Sequence, residues 1–398
     1  MKAERKLNFE FSWSQGAYWA SNGLIFNFAA VFLQYKGYSN YKLGIILALG
    51  NIVGFLIQPL TAGYIDRRNK KPLLKISALV AAVSLLLTLA AVFIPHACVT
   101  LSAVYVLILG TSILLQPLTN SMSTYLCTWG YDIRFARARA VGSLCFALCM
   151  LLLGMLTEKY SAATVPIVYI ILLILFIAVL LVMTRQDNTL RRIPPKVFDN
   201  KEKAASTLGV FVRENKRFCF YLAGVAMLFF SHSLLGNFMI EFLRPIGGDS
   251  ADMGSIFCIM ALCELPAMLL FDRLLRKLRC SSMLKLSAIM FAVKNGAVWL
   301  AGSVPMMYAA MCIQALSFAL FIPASVRYVE EVIKKRDSVK GQAFTTCMFT
   351  LGSIFASYLG GYMLDNIGAK STLLVGTAVA AVGAAIILPA VQKTGIAE

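Results

Sequence analysis

The sequence has few charged residues for its length, and most of them carry a positive charge. Charged residues make up 14% of the 398 residues, hydrophobic residues make up 59%, and 37 Lys and Arg stand against 19 Asp and Glu. A water-soluble domain of this size needs more polar surface, so the composition excludes a soluble globular protein. The apolar residues instead predict burial in a lipid bilayer, which is the expected partner of the chain.

Other signals are missing, and each absence excludes a class of protein. The ten Cys residues have no closely paired spacing, which argues against a zinc site or a redox pair. A nucleotide-binding loop is absent, so an ATP-driven pump is not expected, and neither is a metal or other cofactor. No nucleophile with a positioned base is evident, which argues against an enzyme. Without a signal-peptide pattern, insertion is expected to proceed without cleavage.

Twelve apolar stretches are long enough to cross a membrane. A helix needs about 20 apolar residues to cross a hydrocarbon core of about 30 Å. The first six stretches are residues 12–32, 44–65, 73–94, 99–125, 136–156 and 165–183. The second six are residues 218–240, 253–271, 284–300, 306–328, 343–364 and 372–391. An open sheet would leave backbone groups unsatisfied in lipid, so the predicted fold class is an all-α membrane protein with twelve transmembrane helices.

The basic residues alternate between the gaps that separate these stretches. Of the 37 Lys and Arg, 31 fall on one set of alternate gaps; the other set holds Lys36, Lys42, Lys159, Arg244 and Lys370. Short loops rich in Lys and Arg stay in the cytoplasm, so both termini are predicted to be cytoplasmic. This topology predicts a multi-pass protein of the cytoplasmic membrane and explains the net charge of +18 without a nucleic-acid partner.

The longest polar stretch divides the chain into two halves. Residues 1–184 and 218–398 are predicted to be six-helix halves, and residues 185–217 are predicted to be a cytoplasmic linker. Weak internal similarity supports a duplication, because the second stretch of each half ends in Asp-Arg, at Asp66-Arg67 and Asp272-Arg273. Pseudo-symmetric halves around a central binding site are a common transporter plan. A monomer is the expected state.

Ionisable residues inside the apolar stretches are the best indicators of function, because burying a charge in hydrocarbon is costly. Glu264 and Lys294 lie about 18 and 20 Å from the ends of their stretches, at about 1.5 Å per residue. An ion pair there would break when the carboxylate is protonated. We interpret Glu264 as the proton-coupling carboxylate, Lys294 as its partner and His232 as a further proton-sharing group. The alternatives are a static ion pair and a packing histidine.

Uncharged polar residues in the stretches are interpreted as the lining of a substrate cavity. They could hydrogen-bond a polar solute, although Asn and Gln also hold helices together. The candidates are Tyr18, Asn22, Gln116, Asn120, Asn237 and Gln314. Tyr18 and the adjacent Trp19 could also stack on a ring-shaped substrate.

A loop between the second and third stretches resembles the signature of the major facilitator superfamily. The segment is Gly63-Tyr64-Ile65-Asp66-Arg67-Arg68-Asn69-Lys70-Lys71. The resemblance implies that Asp66, Arg67 and Arg68 form a cytoplasmic gate that is latched when the transporter faces outward. A solvated basic loop is the alternative.

Further segments resemble the branch that contains the lactose permease-like and phenylpropionate permease-like proton symporters. Arg137-Ala138-Arg139-Ala140-Val141-Gly142 is similar to an Arg-x-Arg-x-x-Gly segment of that branch, and Glu264-Leu265-Pro266 to a Glu-hydrophobic-Pro element. The resemblance implies a substrate-binding role for Arg139, and Lys294 falls where an Arg is usual.

The chain also departs from that branch. Gln314 and Ile322 stand where His is common, and residues 120–124 contain no carboxylate, which argues against galactoside specificity. The predicted function is therefore secondary active transport of a sugar, nucleoside or aromatic acid by alternating access, with proton symport driven by the proton gradient. The alternatives are a proton-driven exporter of amphipathic compounds and a membrane sensor that moves no solute.

Overall fold

The computed structural model describes residues 2–66, 73–128, 131–190 and 206–395, and every regular element among them is a helix. The chain divides into two units. The first comprises Met1–Phe198 with Met253–Cys258, and the second comprises Asp199–Asp252 with Ile259–Glu398. The boundary near residue 198 falls within the linker predicted from the sequence.

Seven helices lie before residue 191. They are α1 (Lys2–Asn27), α2 (Ala29–Tyr35), α3 (Asn40–Asp66), α4 (Leu73–Phe93), α5 (Val99–Thr128), α6 (Phe135–Lys159) and α7 (Thr164–Leu190). Helix α1 packs against α5, α6 and α7, and α4 packs against α5 and α7. Helix α1 therefore places its side chains among three neighbouring helices.

Seven helices follow residue 205. They are α8 (Leu208–Glu214), α9 (Lys216–Leu243), α10 (Ser250–Leu275), α11 (Cys280–Leu300), α12 (Val304–Cys312), α13 (Phe318–Val332) and α14 (Ser338–Ala390). Three short 3₁₀ turns accompany them, at Arg244–Ile246, Ile313–Ala315 and Lys335–Asp337. Helix α14 packs against α9 and α11, and α11 packs against α13.

Ten helical segments of the described residues are long and apolar enough to cross a membrane. The last of them, Lys335–Ala390, has 56 residues and overlaps the two last predicted stretches. Helix α1 covers residues 12–27 of the first predicted stretch, and α2 covers residues 29–32. Helix α1 is not among the ten, because polar residues along its whole length lower its mean hydropathy. The all-helical membrane fold is confirmed, while the count of twelve spans and the cytoplasmic termini stay predictions.

Glycines explain both the turn within α14 and its tight fit against α9. Gly368 has a φ of 77° in the middle of α14, a conformation that side chains with a Cβ rarely adopt, and it separates the two predicted stretches. At Gly352, an added Cβ would lie 2.5 Å from the carbonyl oxygen of Ala226 on α9. The missing side chain therefore allows the two backbones to touch.

The tenth predicted stretch is not one continuous helix. It consists of α12, the 3₁₀ turn Ile313–Ala315 and α13, and Ser317 has non-helical dihedral angles (φ −88°, ψ −91°). The hydroxyl of Ser287 on α11 donates to the carbonyl oxygen of Ser317 over 2.6 Å. The same oxygen accepts the backbone N–H of Phe321 over 3.1 Å, so the Ser287 hydroxyl adds a second bond that joins α11 to the interruption.

The end of the predicted linker is anchored to the second unit. Phe211 of α8 is fully buried and contacts Phe218 and Phe344 through its ring. The backbone N–H and the hydroxyl of Ser206 both donate to the carboxylate of Asp337 over 2.9 Å. Residues 206–214 therefore belong structurally to the second unit; most of the rest of the predicted linker, residues 191–205, lies outside the described residues.

Candidate functional site

Three residues of the second unit form a hydrogen-bonded chain. Nζ of Lys294 donates to Oε1 of Gln314 over 2.8 Å, and Nε2 of Gln314 donates to Oε1 of Glu264 over 2.9 Å. Nδ1 of His232 lies 3.4 Å from Nζ of Lys294. The structure therefore brings together the three predicted coupling residues and links the two charges through Gln314, which the sequence had indicated as a substrate ligand.

Each member of this group comes from a different element. His232 lies on α9, Glu264 on α10, Lys294 on α11 and Gln314 in the 3₁₀ turn before α13. Because four elements supply the four side chains, a shift of any one of them changes the distances in the group. A movement of the helices is thus coupled to the contacts of Lys294.

Lys294 is completely buried, with an exposed fraction of 0%. A buried ammonium is costly unless its N–H groups find acceptors, and Gln314 supplies one. Nζ also lies 5.3 Å from the ring centroid of Phe291, where the negative face of the ring attracts the cation. The local surroundings therefore compensate part of the cost of this charge.

Aromatic rings border the charged group. The ring of His232 stacks on Phe318 with centroids 4.5 Å apart and an interplanar angle of 15°. Phe229 stacks on Phe349 with centroids 3.9 Å apart. An apolar wall beside a buried cation is chemically suited to a solute that has both an aromatic body and a negative charge.

A second candidate group lies in the first unit, between α1 and α6. Cζ of Arg139 lies 3.9 Å from the ring centroid of Trp19, and Nη1 of Arg139 donates to the hydroxyl of Ser143 over 2.9 Å. Nε1 of Trp19 donates to Oε1 of Gln15 over 3.0 Å. These contacts fix the planes of the guanidinium and the indole.

The polar residues near the middle of α1 are held by α5. The hydroxyl of Tyr18 donates to the carbonyl oxygen of Ser112 over 3.3 Å, and Nδ2 of Asn22 donates to the hydroxyl of Ser112 over 3.1 Å. Tyr18 is almost fully buried, and Asn22 is half-buried. Both residues therefore contribute to the packing of α1 on α5, whatever further role they have in binding.

The remaining predicted ligands differ in their surroundings. Gln116 is exposed on α5, and the buried Oδ1 of Asn120 has no hydrogen-bond partner among the described residues. Nδ2 of Asn237 instead donates to the hydroxyl of Ser357 on α14 over 2.9 Å. Substrate binding by Asn120 stays a prediction, while the Asn237 bond joins two helices, as in the alternative interpretation of such residues.

The predicted gate cannot be compared with the structure. Arg67 and Arg68 lie outside the described residues, and Asp66 is described only as the last residue of α3. The gate stays a prediction.

The sequence interpretation missed Ser287 and the bridging position of Gln314. Ser287 precedes Lys294 by seven residues, or two helical turns, and so shares its helix face. That spacing could have identified Ser287 from the sequence. The position of Gln314 between Lys294 and Glu264 could not be predicted, because it depends on how the helices rotate about their axes.

The comparisons with known proteins agree with this architecture. Residues 17–375 match the model of the MFS_1 like family. The probable 3-phenylpropionic acid transporter of Escherichia coli (strain K12) is 24% identical over 355 residues, which are 87% of this chain and 89% of that protein. A putative sugar efflux transporter of Deinococcus radiodurans is 23% identical over 178 residues, or 45% of this chain and 44% of that protein.

A solved structure gives the fold independently of close sequence similarity. The crystal structure of nucleoside transporter NupG superposes with a TM-score of 0.79 at 15% identity, covering 98% of this chain and 99% of that chain. The matching family model identifies a secondary transporter of the major facilitator type, not an enzyme. The chain belongs to the MFS_1 like family.

Proposed function

We propose that this protein is a proton symporter that carries an aromatic carboxylate across the cytoplasmic membrane by alternating access. The observation that carries the proposal is the hydrogen-bonded chain from Lys294 through Gln314 to Glu264. A carboxylate and an ammonium inside membrane-spanning helices are costly, and such groups commonly serve as proton and ion sites.

The proposed coupling uses the charge of Glu264. While Glu264 is ionised, the chain keeps the Lys294 ammonium engaged with the protein. When a proton binds Glu264, the negative end of the chain is lost and Lys294 is available to the carboxylate of the solute. The proton and the solute then leave on the other side of the membrane. The hydrogen bonds from Lys294 through Gln314 to Glu264 then form again.

Two further features support an aromatic carboxylate over a sugar or a nucleoside. Arg139 and Lys294 are both cations on predicted spans, and both lie beside aromatic rings. A relative that matches 87% of this chain is named a probable 3-phenylpropionic acid transporter. We further propose that both termini are cytoplasmic, that a monomer is the working unit, and that Asp66, Arg67 and Arg68 form the cytoplasmic gate.

The test measures pH outside proteoliposomes while solutes are added. The panel contains 3-phenylpropionate and related aromatic acids, nucleosides and sugars. Protein-free vesicles report the passive entry of undissociated acids, which also removes protons from the outside. We expect aromatic carboxylates to cause saturable alkalinisation above that background with the unmodified protein.

Glu264→Gln is the decisive variant. It should lose solute-driven proton movement but retain the exchange of labelled solute for unlabelled solute, because exchange requires no net proton transfer. Glu241→Gln is the matched control, since Glu241 lies near the end of α9 and pairs with Arg244. Normal proton movement in Glu264→Gln would disprove the coupling role. Binding without flux would favour a sensor, and outward-directed flux alone would favour an exporter.

A further inference from the structure

We propose that Gln314 is a positioning residue for proton coupling, whose amide transmits the charge state of Glu264 to Lys294. This inference rests on the proposed function, because it assumes that Glu264 binds the coupled proton. It replaces the interpretation of Gln314 as a substrate ligand. Gln314 has an exposed fraction of 1%, so its polar atoms are occupied by the protein.

The orientation of the Gln314 amide follows from the chemistry of its neighbours. An ammonium has only donors, so the atom that faces Lys294 must be the carbonyl oxygen Oε1. The NH₂ group then faces Glu264, where an ionised carboxylate accepts its hydrogen. Each contact supports the other, because reversing the amide would break both bonds.

Protonation of Glu264 weakens this arrangement. A hydrogen bond to an ionised carboxylate is roughly twice as strong as one between neutral groups. A neutral Glu264 therefore holds the NH₂ group of Gln314 less firmly, and Oε1 in turn holds Lys294 less firmly. The proton adds to a carboxylate oxygen of Glu264, and no other covalent bond changes.

The backbone that carries Gln314 is suited to such a response. The residue sits in the 3₁₀ turn Ile313–Ala315, between α12 and α13, rather than within a continuous helix. Irregular backbone at membrane depth is tolerated only where protein or a water-filled cavity surrounds it. A changed amide contact can therefore move the turn without breaking a full set of helical hydrogen bonds.

Other titratable residues also lie beside the hydrogen-bonded chain from Lys294 through Gln314 to Glu264. His232 contacts Lys294 from α9. Cys263 precedes Glu264 on α10 and contacts Cys312 at the end of α12. The experiment therefore changes Gln314 alone and leaves these three residues in place.

The main test is the pH dependence of solute-driven proton uptake in Gln314→Met. Methionine keeps the length of the side chain but offers no N–H donor to Glu264. A hydrogen bond to a charged group corresponds to about one pH unit, so the midpoint pH of coupled uptake should rise by about one unit. A purely structural role of Gln314 would lower uptake at every pH and leave the midpoint unchanged.

Two further variants make the result specific. Gln342→Met is the matched control, because Nε2 of Gln342 donates only to the carbonyl oxygen of Val326 among its recorded bonds, and its midpoint should not move. Gln314→Glu keeps the size of the side chain and places two carboxyl groups side by side. Because adjacent carboxylates share a proton, its midpoint should rise at least as far as that of Gln314→Met.

The possible failures can be told apart. If the unmodified protein shows no solute-driven proton uptake, the proposed function fails. If it shows such uptake and a folded Gln314 variant has an unchanged midpoint, only the role of Gln314 is disproved. If neither variant folds, infrared difference spectra of the unmodified protein with ¹³C-labelled Gln provide the test. The inference is overturned if the carboxyl band changes with pH and no glutamine amide band changes with it.

Discussion

The guanidinium of Arg139 stacks on the indole of Trp19, with Cζ 3.9 Å from the ring centroid. Stacking of this kind contributes about 0.5–2 kcal/mol, depending on how far the cation is removed from water. It also fixes the plane of the guanidinium, which can then offer two parallel N–H donors to a carboxylate. The contact therefore supports the proposal that Arg139 binds a planar anion rather than a sugar hydroxyl.

Arg139→Lys tests that role while keeping the positive charge. An ammonium cannot stack as a plane or bind a carboxylate through two parallel bonds, so we expect the KM for aromatic carboxylates to rise about tenfold, equivalent to about 1.4 kcal/mol. The maximal rate should change much less. Uptake of labelled solute by proteoliposomes measures both quantities.

Arg137→Lys is the matched control for this change. Arg137 precedes Arg139 on the same helix by two residues and is exposed. Its replacement should leave KM unchanged. Equal KM values for the two variants and the unmodified protein would remove Arg139 from the binding site.

Much of the fold could be predicted from the sequence, because bilayer thickness imposes a minimum length on every span. The described helices overlap all twelve predicted stretches. The break at Ile313–Ala315 could not be predicted, since neither Pro nor Gly occurs between Cys312 and Phe318. A tertiary bond accompanies the break instead, from the hydroxyl of Ser287 to the carbonyl oxygen of Ser317.

The candidate site was only partly accessible to sequence reasoning. Glu264 and Lys294 were identified because charges are rare at membrane depth. The functions of Asn237 and Gln314 were not resolved, because an amide looks the same in sequence whether it faces a solute, another helix or a charge. The direction of each side chain depends on helix rotation and crossing, which hydropathy does not encode.

Acid should weaken the attachment of α8 to the rest of the second unit. The ammonium of Lys334 donates to Glu214 over 2.9 Å and lowers the pKa of Glu214 below its ordinary value; desolvation opposes this effect and Arg336 adds to it. Because the pKa of Glu214 is lower in the folded protein than in the unfolded protein, its ion pairs stabilise the fold at pH values above the unfolded-state pKa. This stability is lost as the pH falls through the folded-state pKa. We therefore expect protection of the α8 amides to be constant near neutral pH and to decline below the ordinary carboxyl range.

Hydrogen–deuterium exchange, corrected for the intrinsic effect of pH on amide exchange, measures this protection. Glu214→Gln should exchange faster in residues 208–214 at neutral pH, and acid should change it less. Glu330→Gln serves as control, because Glu330 forms an exposed pair with Arg327 on α13. An identical pH profile in Glu214→Gln would show that the ion pairs do not anchor α8.

The broken tenth stretch gives the last prediction. Ser287→Ala removes the hydroxyl that donates to the carbonyl oxygen of Ser317 and leaves that oxygen with the backbone N–H of Phe321 as its donor. A lost hydrogen bond costs about 0.5–1.5 kcal/mol, so thermal unfolding in detergent should occur at a lower temperature. Proton-coupled uptake should also weaken, because the turn that carries Gln314 loses its anchor on α11.

Ser231→Ala separates this effect from the general cost of losing a buried serine. Ser231 is as fully buried as Ser287, but its hydroxyl donates to Leu228 of its own helix, three residues earlier. The Ser231 bond lies within one helix, whereas the Ser287 bond joins α11 to the interruption, so the loss of stability should be smaller. If both variants unfold at the same temperature, the bond from Ser287 does not hold the interruption. If only Ser287→Ala is destabilised, the geometry of the tenth stretch is set by α11, and Lys294 on that same helix moves together with the turn that binds it.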